Sequence, residues 1–340
     1  MPIRQPWDAL PCSVRRAIET EIGAVTSVKQ PARGQNSEFS ATLRTQQNGA
    51  HFVKGVRVDR PYSWSHRNEA AVGPYLPPGI APTLHWEIEN DGWLMLGFEL
   101  APGVHPDLSP GSPHLLRVRD LVITIGEELT PCPGAAKHAL AERWAEAPGW
   151  AELRDRRPGD LDPWALDHAE ALAEIEAYVS FEGDTLAHVD LHPGNILVGE
   201  DRSVAVDWAW SARGPVWLDP AYLVIRLINA GHSPQQAETW AQDIPAFSAA
   251  PDDVLTAFAV RLSGMWECIA RSPKARSHAR QLADAARQWA RHRLTGPARC
   301  RPARLGRRDD RPDLSKVRKV YRFHSANDSN GRRDASCLDS

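Results

Sequence analysis

The chain has 340 residues, 42% hydrophobic and 24% charged, enough apolar content for one large domain or two lobes. Its five cysteines (Cys12, Cys132, Cys268, Cys300 and Cys337) form no C-x-x-C pair and are odd in number, which argues against a disulfide framework or a zinc knuckle. The net charge of −3 divides unevenly: from Arg299 onward 12 Lys and Arg face 6 Asp and Glu, so the body carries 28 basic against 37 acidic residues and favours cationic small molecules over nucleic acid.

A reducing cytoplasm fits this cysteine usage. The opening MPIRQPWDALPCSVRR lacks an apolar h-region, so no signal peptide is expected. No run approaches 18 uncharged apolar residues, so no membrane span is expected either.

In chain order, a short helix is predicted from Ser13 to Ile22, with Val14, Ala17, Ile18 and Ile22 on one side. Strand-like runs follow at Val25–Lys29, Glu38–Arg44 and His51–Val58. The turn Gln47-Asn48-Gly49 joins the last two, and Asn-Gly is a strong hairpin signal. A helix is predicted over Ser65–Tyr75. Thr83–Glu89 and Trp93–Glu99 flank Asn90-Asp91-Gly92 as a second hairpin. Residues 1–101 therefore read as a small, mostly antiparallel β-lobe with one inserted helix.

After Ala101-Pro102-Gly103 helices dominate. They are predicted at Leu115–Glu128, Ala135–Ala147 and Pro163–Val179, the last with Asp162 as its cap and proline in its first turn. Two short strands, Asn195–Gly199 and Ser203–Trp208, interrupt the helical pattern, which resumes from about Asp219 to Arg291. Residues 102–295 form the expected larger, mainly helical lobe. Residues 296–340, rich in Arg, Asp, Ser and Pro, read as a disordered basic tail. The fold class is α+β.

The chemistry concentrates in residues 186–223, LAHVDLHPGNILVGEDRSVAVDWAWSARGPVWLDPAYL. Asp190 is followed five residues later by Asn195 and twelve further on by Asp207, at the end of an apolar strand. Two carboxylates and an amide oxygen are hard oxygen donors suited to Mg²⁺. Phosphoryl transfer asks for this set: one carboxylate takes the acceptor proton, and the other donors hold the metal. The bland reading is that Asp190 caps a turn and Asp207 ends a strand. A rival is a metallohydrolase using His188, Asp190 and His192 as an H-x-D-x-H site.

HVDLHPGNIL followed by VAVDW resembles the catalytic and metal-binding loops of the aminoglycoside phosphotransferase family, small-molecule relatives of the protein kinases. The resemblance implies a protein-kinase-like bilobal fold and an ATP-dependent (or GTP-dependent) phosphotransferase. It implies Asp190 as catalytic base, Asn195 and Asp207 as Mg²⁺ ligands, and Asp219 and His188 as supports of the catalytic loop. Upstream it implies Lys54 as the phosphate-binding lysine, with Glu69 as its partner. The loop 31–37 would lie over the phosphates with Gly34 and Ser37 as contacts, although it lacks G-x-G-x-x-G. Trp93–Leu100 would be the strand that meets the adenine. Ala209 stands where many relatives place a second acidic residue.

The implied acceptor is a hydroxylated small molecule, an aminoglycoside-like antibiotic first, which would make the protein a resistance enzyme. Glu267, Asp243, Trp266 and Trp240 are candidates for binding a cationic acceptor. No nucleic-acid or membrane partner is expected. A non-catalytic kinase-like nucleotide-binding protein is the other alternative; the presence of Asp190, Asn195, Asp207 and Lys54 together weighs against it.

Overall fold

The computed structural model describes residues 4–31, 37–46, 49–134 and 138–295. Gly34, most of the expected Gln47-Asn48-Gly49 turn, the start of the helix expected at residue 135 and the tail from 296 lie outside the described residues.

Apolar spacing and turn residues set the elements in this order. α1 (Cys12–Ile22) leads into β1 (Val25–Lys29), β2 (Phe39–Thr45) and β3 (Ala50–Arg57). α2 (Ser63–Val72) runs into a 3₁₀ turn at Gly73–Tyr75, followed by β4 (Leu84–Asn90) and β5 (Trp93–Glu99). The helices α3 (His114–Glu128), α4 (Leu140–Trp144), α5 (Trp150–Arg156), α6 (Pro163–Asp167) and α7 (Ala169–Glu176) come next. Four three-residue strands follow: β6 (Thr185–Ala187), β7 (Ile196–Val198), β8 (Ser203–Ala205) and β9 (Ala212–Gly214). The chain ends in α8 (Leu218–Asn229), α9 (Pro234–Gln242), α10 (Pro245–Ala249), α11 (Asp252–Arg271) and α12 (Ala279–Thr295). The architecture is α+β, as expected.

The described residues cluster into two compact units. The first contains everything up to Trp144, then Phe181–Leu223 and Ala241–Ser248. Its sheet is antiparallel in the order β1-β2-β3-β5-β4. The β4–β5 hairpin turns at Asp91 and Gly92, both at positive φ (48° and 74°), the mirror-image turn that matches strand twist. Alternation along the strands gives the sheet two apolar faces. Val53, Phe39, Leu43 and Met95 pack with Val14, Ile18 and Ile22 of α1. Val56, Leu94, Leu96 and Phe98 pack with Ala70 of α2. β3 is central, so Lys54 sits opposite Ser40 on one neighbour and Leu96 on the other. Two-residue periodicity puts Lys54 on the same face as Val56, the face that α2 covers.

Also in this unit, β7 and β8 form the expected short hairpin, with Ile196 opposite Ala205. β6 pairs with β9, Thr185 opposite Gly214, a long-range pairing that three-residue strands do not announce.

The second unit holds Ala145–Ser180, Val224–Trp240 and the described residues from Ala249. Trp150, Leu153, Leu172 and Ile175 pack against Val260, Ala290 and Leu294. Trp150 donates its indole N–H to the Val260 carbonyl at 2.9 Å. The single helix expected over Pro163–Val179 is divided here. Asp162 does cap its start, accepting from the Ala165 amide at 3.4 Å. At His168 the backbone leaves the helical region (φ −111°, ψ 7°). There the imidazole Nδ1 donates to the Trp164 carbonyl at 2.7 Å, a local bond that competes with helix continuation. Among the described residues no helix is long and apolar enough to cross a membrane.

Candidate active site

Three residues from distant parts of the first unit meet at one ammonium. The Lys54 Nζ lies against Glu69 of α2 and 2.8 Å from Asp207 Oδ1. Lys54 also passes over the Phe98 ring, 5.7 Å from its centroid. Burial by itself would lower the lysine's pKa, but the carboxylates of Asp207 and Glu69 outweigh it and raise it. Burial pushes Glu69 up to about 7 against the pull of Lys54. Burial also acts upward on Asp207, yet Lys54 prevails there and holds it below the ordinary carboxylate range.

One ammonium cannot neutralise two carboxylates. Glu69 is closed off from solvent, whereas Asp207 keeps 33% of its side-chain surface open. The excess negative charge therefore lies where an entering cation can reach it. The oxygen chemistry of Asp207 and Asn195 fits a hard divalent ion such as Mg²⁺, which is usually held by one or two carboxylates together with phosphate oxygens.

The segment around Asp190 is held by its neighbours rather than by its own preference. Val189 has φ 71°, a left-handed conformation that costs a β-branched residue energy. Asp219, buried at the start of α8, accepts the His188 amide at 2.7 Å and the Val189 amide at 2.9 Å. Burial raises the Asp219 pKa, opposed by His188 and these two amides. His188 Nδ1 accepts from the Asp190 amide at 3.3 Å, and its Nε2 donates to the Val206 carbonyl at 3.0 Å. The Asn195 amide nitrogen donates to the Asp190 carbonyl at 3.0 Å and lies 3.5 Å from Asp190 Oδ2. Its backbone carbonyl accepts from Val206 at 2.9 Å. The β7–β8 hairpin thus brings Asn195 beside the residue that precedes Asp207. Asp207 itself is left-handed, φ 63°. Two such non-glycine residues flanking one site are backbone strain of the kind found at functional centres.

His188 spends both ring nitrogens inside the protein, so it is a poor member of an H-x-D-x-H metal site. His192 Nδ1 accepts from the Gly194 amide at 3.0 Å. Among the described residues no three His, Cys, Asp or Glu side chains are grouped to hold a metal.

α2 carries more of the site than its sequence suggests. Glu69 Oε1 accepts the Trp208 amide at 3.2 Å. Asn68 donates to the carbonyls of Ala209 and Ser211 at 3.2 and 3.0 Å. These bonds tie the helix to the segment that follows Asp207. His66, one turn before Glu69, is buried with its Nε2 3.0 Å from Ser37 Oγ. Ser37, expected to contact the nucleotide, is thus joined to α2. Burial, reinforced by Lys54, pushes the His66 pKa down to about 3. Polar residues at 66 and 68 read as an exposed helix face; only packing reveals that they are buried.

Of the candidates for a cationic acceptor, Glu267 is fully buried and ion-paired with Arg271, Arg280 and Arg287. Trp266 is buried beneath the Arg226 guanidinium. Asp243 is paired with Arg119 at 3.2 Å. The two acids already have cations: Asp243 pairs with an arginine 124 residues away along the chain, and Glu267 with Arg271 one helical turn on and with Arg280 and Arg287 of the following segment.

The model of the phosphotransferase enzyme family, APH, matches residues 56–252. The chain belongs to this family. The matched span contains Glu69, Asp190, Asn195, Asp207 and Asp219, and Lys54 lies just before it. No curated relative matches this phosphotransferase by sequence. Among solved structures it is similar to a thermostable mutant of aminoglycoside phosphotransferase APH(4)-Ia in ternary complex with ADP and hygromycin B, at 12% identity and TM-score 0.53. That likeness covers 82% of this chain and 99% of the other. It is also similar to the GDP and kanamycin complex of APH(2")-IIia, at 15% identity and TM-score 0.54, over 81% and 98% of the two chains. At these identities the likeness is one of fold, the kinase-like fold of the aminoglycoside phosphotransferases.

Proposed function

We propose that this phosphotransferase moves the γ-phosphoryl group of ATP or GTP to a hydroxyl of a small molecule, an aminoglycoside-like antibiotic or another hydroxylated metabolite. The observation that carries the reading is the burial of Lys54 between Glu69 and Asp207, three residues far apart in sequence. Complexes of similar folds with ADP and with GDP support a nucleotide as donor. Residues 1–101 act as the nucleotide lobe and 102–295 as the lobe for catalysis and acceptor binding.

In this reading Asp190 accepts the proton of the attacking hydroxyl. Asp219 and His188 fix the backbone on which Asp190 sits, so that its carboxylate is aligned before the acceptor arrives. Lys54 binds the nucleotide phosphates, and Glu69 keeps its ammonium in place. Asn195 and Asp207 would hold Mg²⁺, which would supply positive charge against the negative charge of the phosphates. Ser37, with Gly34 nearby in the chain, lies along the phosphates. The engagement of both His188 ring nitrogens speaks against the metallohydrolase alternative.

The test is thermal stabilisation by Mg-ATP and Mg-GTP, with EDTA and zinc as controls. Stabilisation that needs Mg²⁺ and is lost in Asp207→Ala is expected. Stabilisation by zinc alone would overturn the reading.

A further inference from the structure

Trp64, on the first turn of α2, and Trp210, three residues after Asp207, form a corner. Their ring centroids are 5.1 Å apart and their planes cross at 88°. Trp210 is one of the few large apolar side chains left exposed. The Arg143 guanidinium lies against both rings, 5.3 Å from the Trp64 centroid and 6.0 Å from that of Trp210. Two of its N–H groups donate to the carbonyls of Trp210 and Ser211. The guanidinium has five N–H donors, so three are left for another acceptor. The corner is fixed before any ligand arrives, because Asn68 holds Ser211 from the other side.

The charge on Arg143 is what distinguishes this corner. Among the described residues no carboxylate lies within 4.0 Å of it. Arg261, Arg271, Arg287 and Arg293, also withdrawn from water, each have a carboxylate partner. Burial lowers the Arg143 pKa, and no acid offsets that effect. A cation partly removed from water without a counter-ion favours an anion at its open edge. The exposed indole beside it favours a flat or apolar group.

We propose that Arg143, Trp64 and Trp210 form an acceptor subsite for a small alcohol that carries an oxyanion, a carboxylate or a phosphate ester, next to a flat or apolar body. This rests on the phosphotransferase reading above and narrows its acceptor away from polycations. The acids suited to ammonium groups, Glu267 and Asp243, are already paired with arginine, whereas this cation is not.

The test compares 4-(hydroxymethyl)benzoate with its uncharged amide, 4-(hydroxymethyl)benzamide, and with kanamycin, by calorimetric titration of the full chain in the presence of Mg-ADP. The carboxylate is expected to bind about tenfold or more tightly than the amide. That preference is expected to fall to within about threefold in Arg143→Gln, with Mg-ADP affinity unchanged. Inorganic phosphate is expected to compete with the carboxylate in the unmodified chain only. Equal binding of the two probes, no binding of either, tighter binding of kanamycin, or a preference that survives Arg143→Gln would each overturn the subsite. Failure of the phosphotransferase reading would look different, because Mg-ADP itself would not bind.

Discussion

Asp219 Oδ1 accepts the amide of Val189 at 2.9 Å, and Val189 is a β-branched residue held at φ 71°. The second oxygen of the same carboxylate holds the neighbouring amide of His188 at 2.7 Å. A conformation costly in isolation is thus fixed by two charge-assisted bonds from the start of α8, directly before the proposed base. Asp219→Ala leaves two buried amides without acceptors and is expected to cost about 2–4 kcal/mol of stability. Transfer activity should fall further than nucleotide affinity. Asp219→Asn keeps one acceptor and should lie between. Urea titrations and steady-state rates of the two variants check this; an Asp219→Ala protein with undiminished turnover would remove Asp219 from the support of the site.

Asp190 is the residue on which the proposed chemistry turns. Its Oδ2 lies 3.5 Å from the Asn195 amide nitrogen. Asp190→Asn changes charge and basicity with little change in shape. It is expected to slow transfer by about 10²–10⁴-fold while nucleotide binding holds. Single-turnover rates set beside calorimetric nucleotide affinity measure both. A rate within a few-fold of the unmodified chain would assign the proton to another group.

Asp207 and Glu69 share Lys54 unequally: Asp207 is the one open to solvent. Asp207→Ala removes the reachable carboxylate and leaves Lys54 with one partner. Affinity for Mg-nucleotide should drop tenfold or more, about 1.4 kcal/mol, and adding EDTA should then make little further difference. Unchanged Mg²⁺-dependent stabilisation in Asp207→Ala would place the cation elsewhere.

The parts of this site that could be read beforehand share one property: local pattern carries them. Asp190, Asn195 and Asp207 fall at fixed offsets within one stretch, and Lys54 sits on an apolar strand whose period is visible. The pairing of Lys54 with Glu69 comes from the family resemblance, not from the local pattern. His66 and Asn68 were not legible as site residues, because a polar residue on a helix signals solvent unless its tertiary neighbours are known. The pairing of β6 with β9 joins Thr185 to Gly214, and strands of three residues carry too little pattern to announce such a partner. The division at His168 depends on one side-chain bond to Trp164 that competes with the helix, and composition does not encode that choice.

His66 makes a prediction about pH. Burial, reinforced by Lys54, holds its folded pKa at about 3 against an ordinary 6.5. Between those values the unfolded chain binds the proton and the folded chain does not, so stability falls as pH drops from 6.5 toward 3. The steepest slope from one such group is about 1.4 kcal/mol per pH unit. Glu69 acts the other way: pushed up to about 7, it binds a proton in the folded state that the unfolded chain has lost above its ordinary 4.5. Comparison with His66→Gln separates the two, since both chains keep Glu69. The unmodified chain is expected to lose stability faster on acidification than the variant. Parallel melting-temperature curves from pH 7 to 4 would mean that His66 does not titrate in this way.

Glu267 tests the second unit apart from the catalytic chemistry. Its fully buried carboxylate pairs with Arg271, Arg280 and Arg287, and Asp160 and Asp284 pair with the outer faces of those arginines. Replacing such an arrangement whole with apolar residues can be neutral, but removing its central acid leaves cations facing one another inside the protein. Glu267→Ala is therefore expected to destabilise the protein by about 3–5 kcal/mol. Glu267→Gln, which keeps the volume and loses the charge, should destabilise by a similar or slightly smaller amount. If Glu267 instead bound a cationic acceptor, either variant would retain its melting temperature and lose acceptor affinity. Thermal denaturation of both variants, alongside kanamycin titrations, distinguishes a carboxylate that holds the fold from one that awaits a ligand.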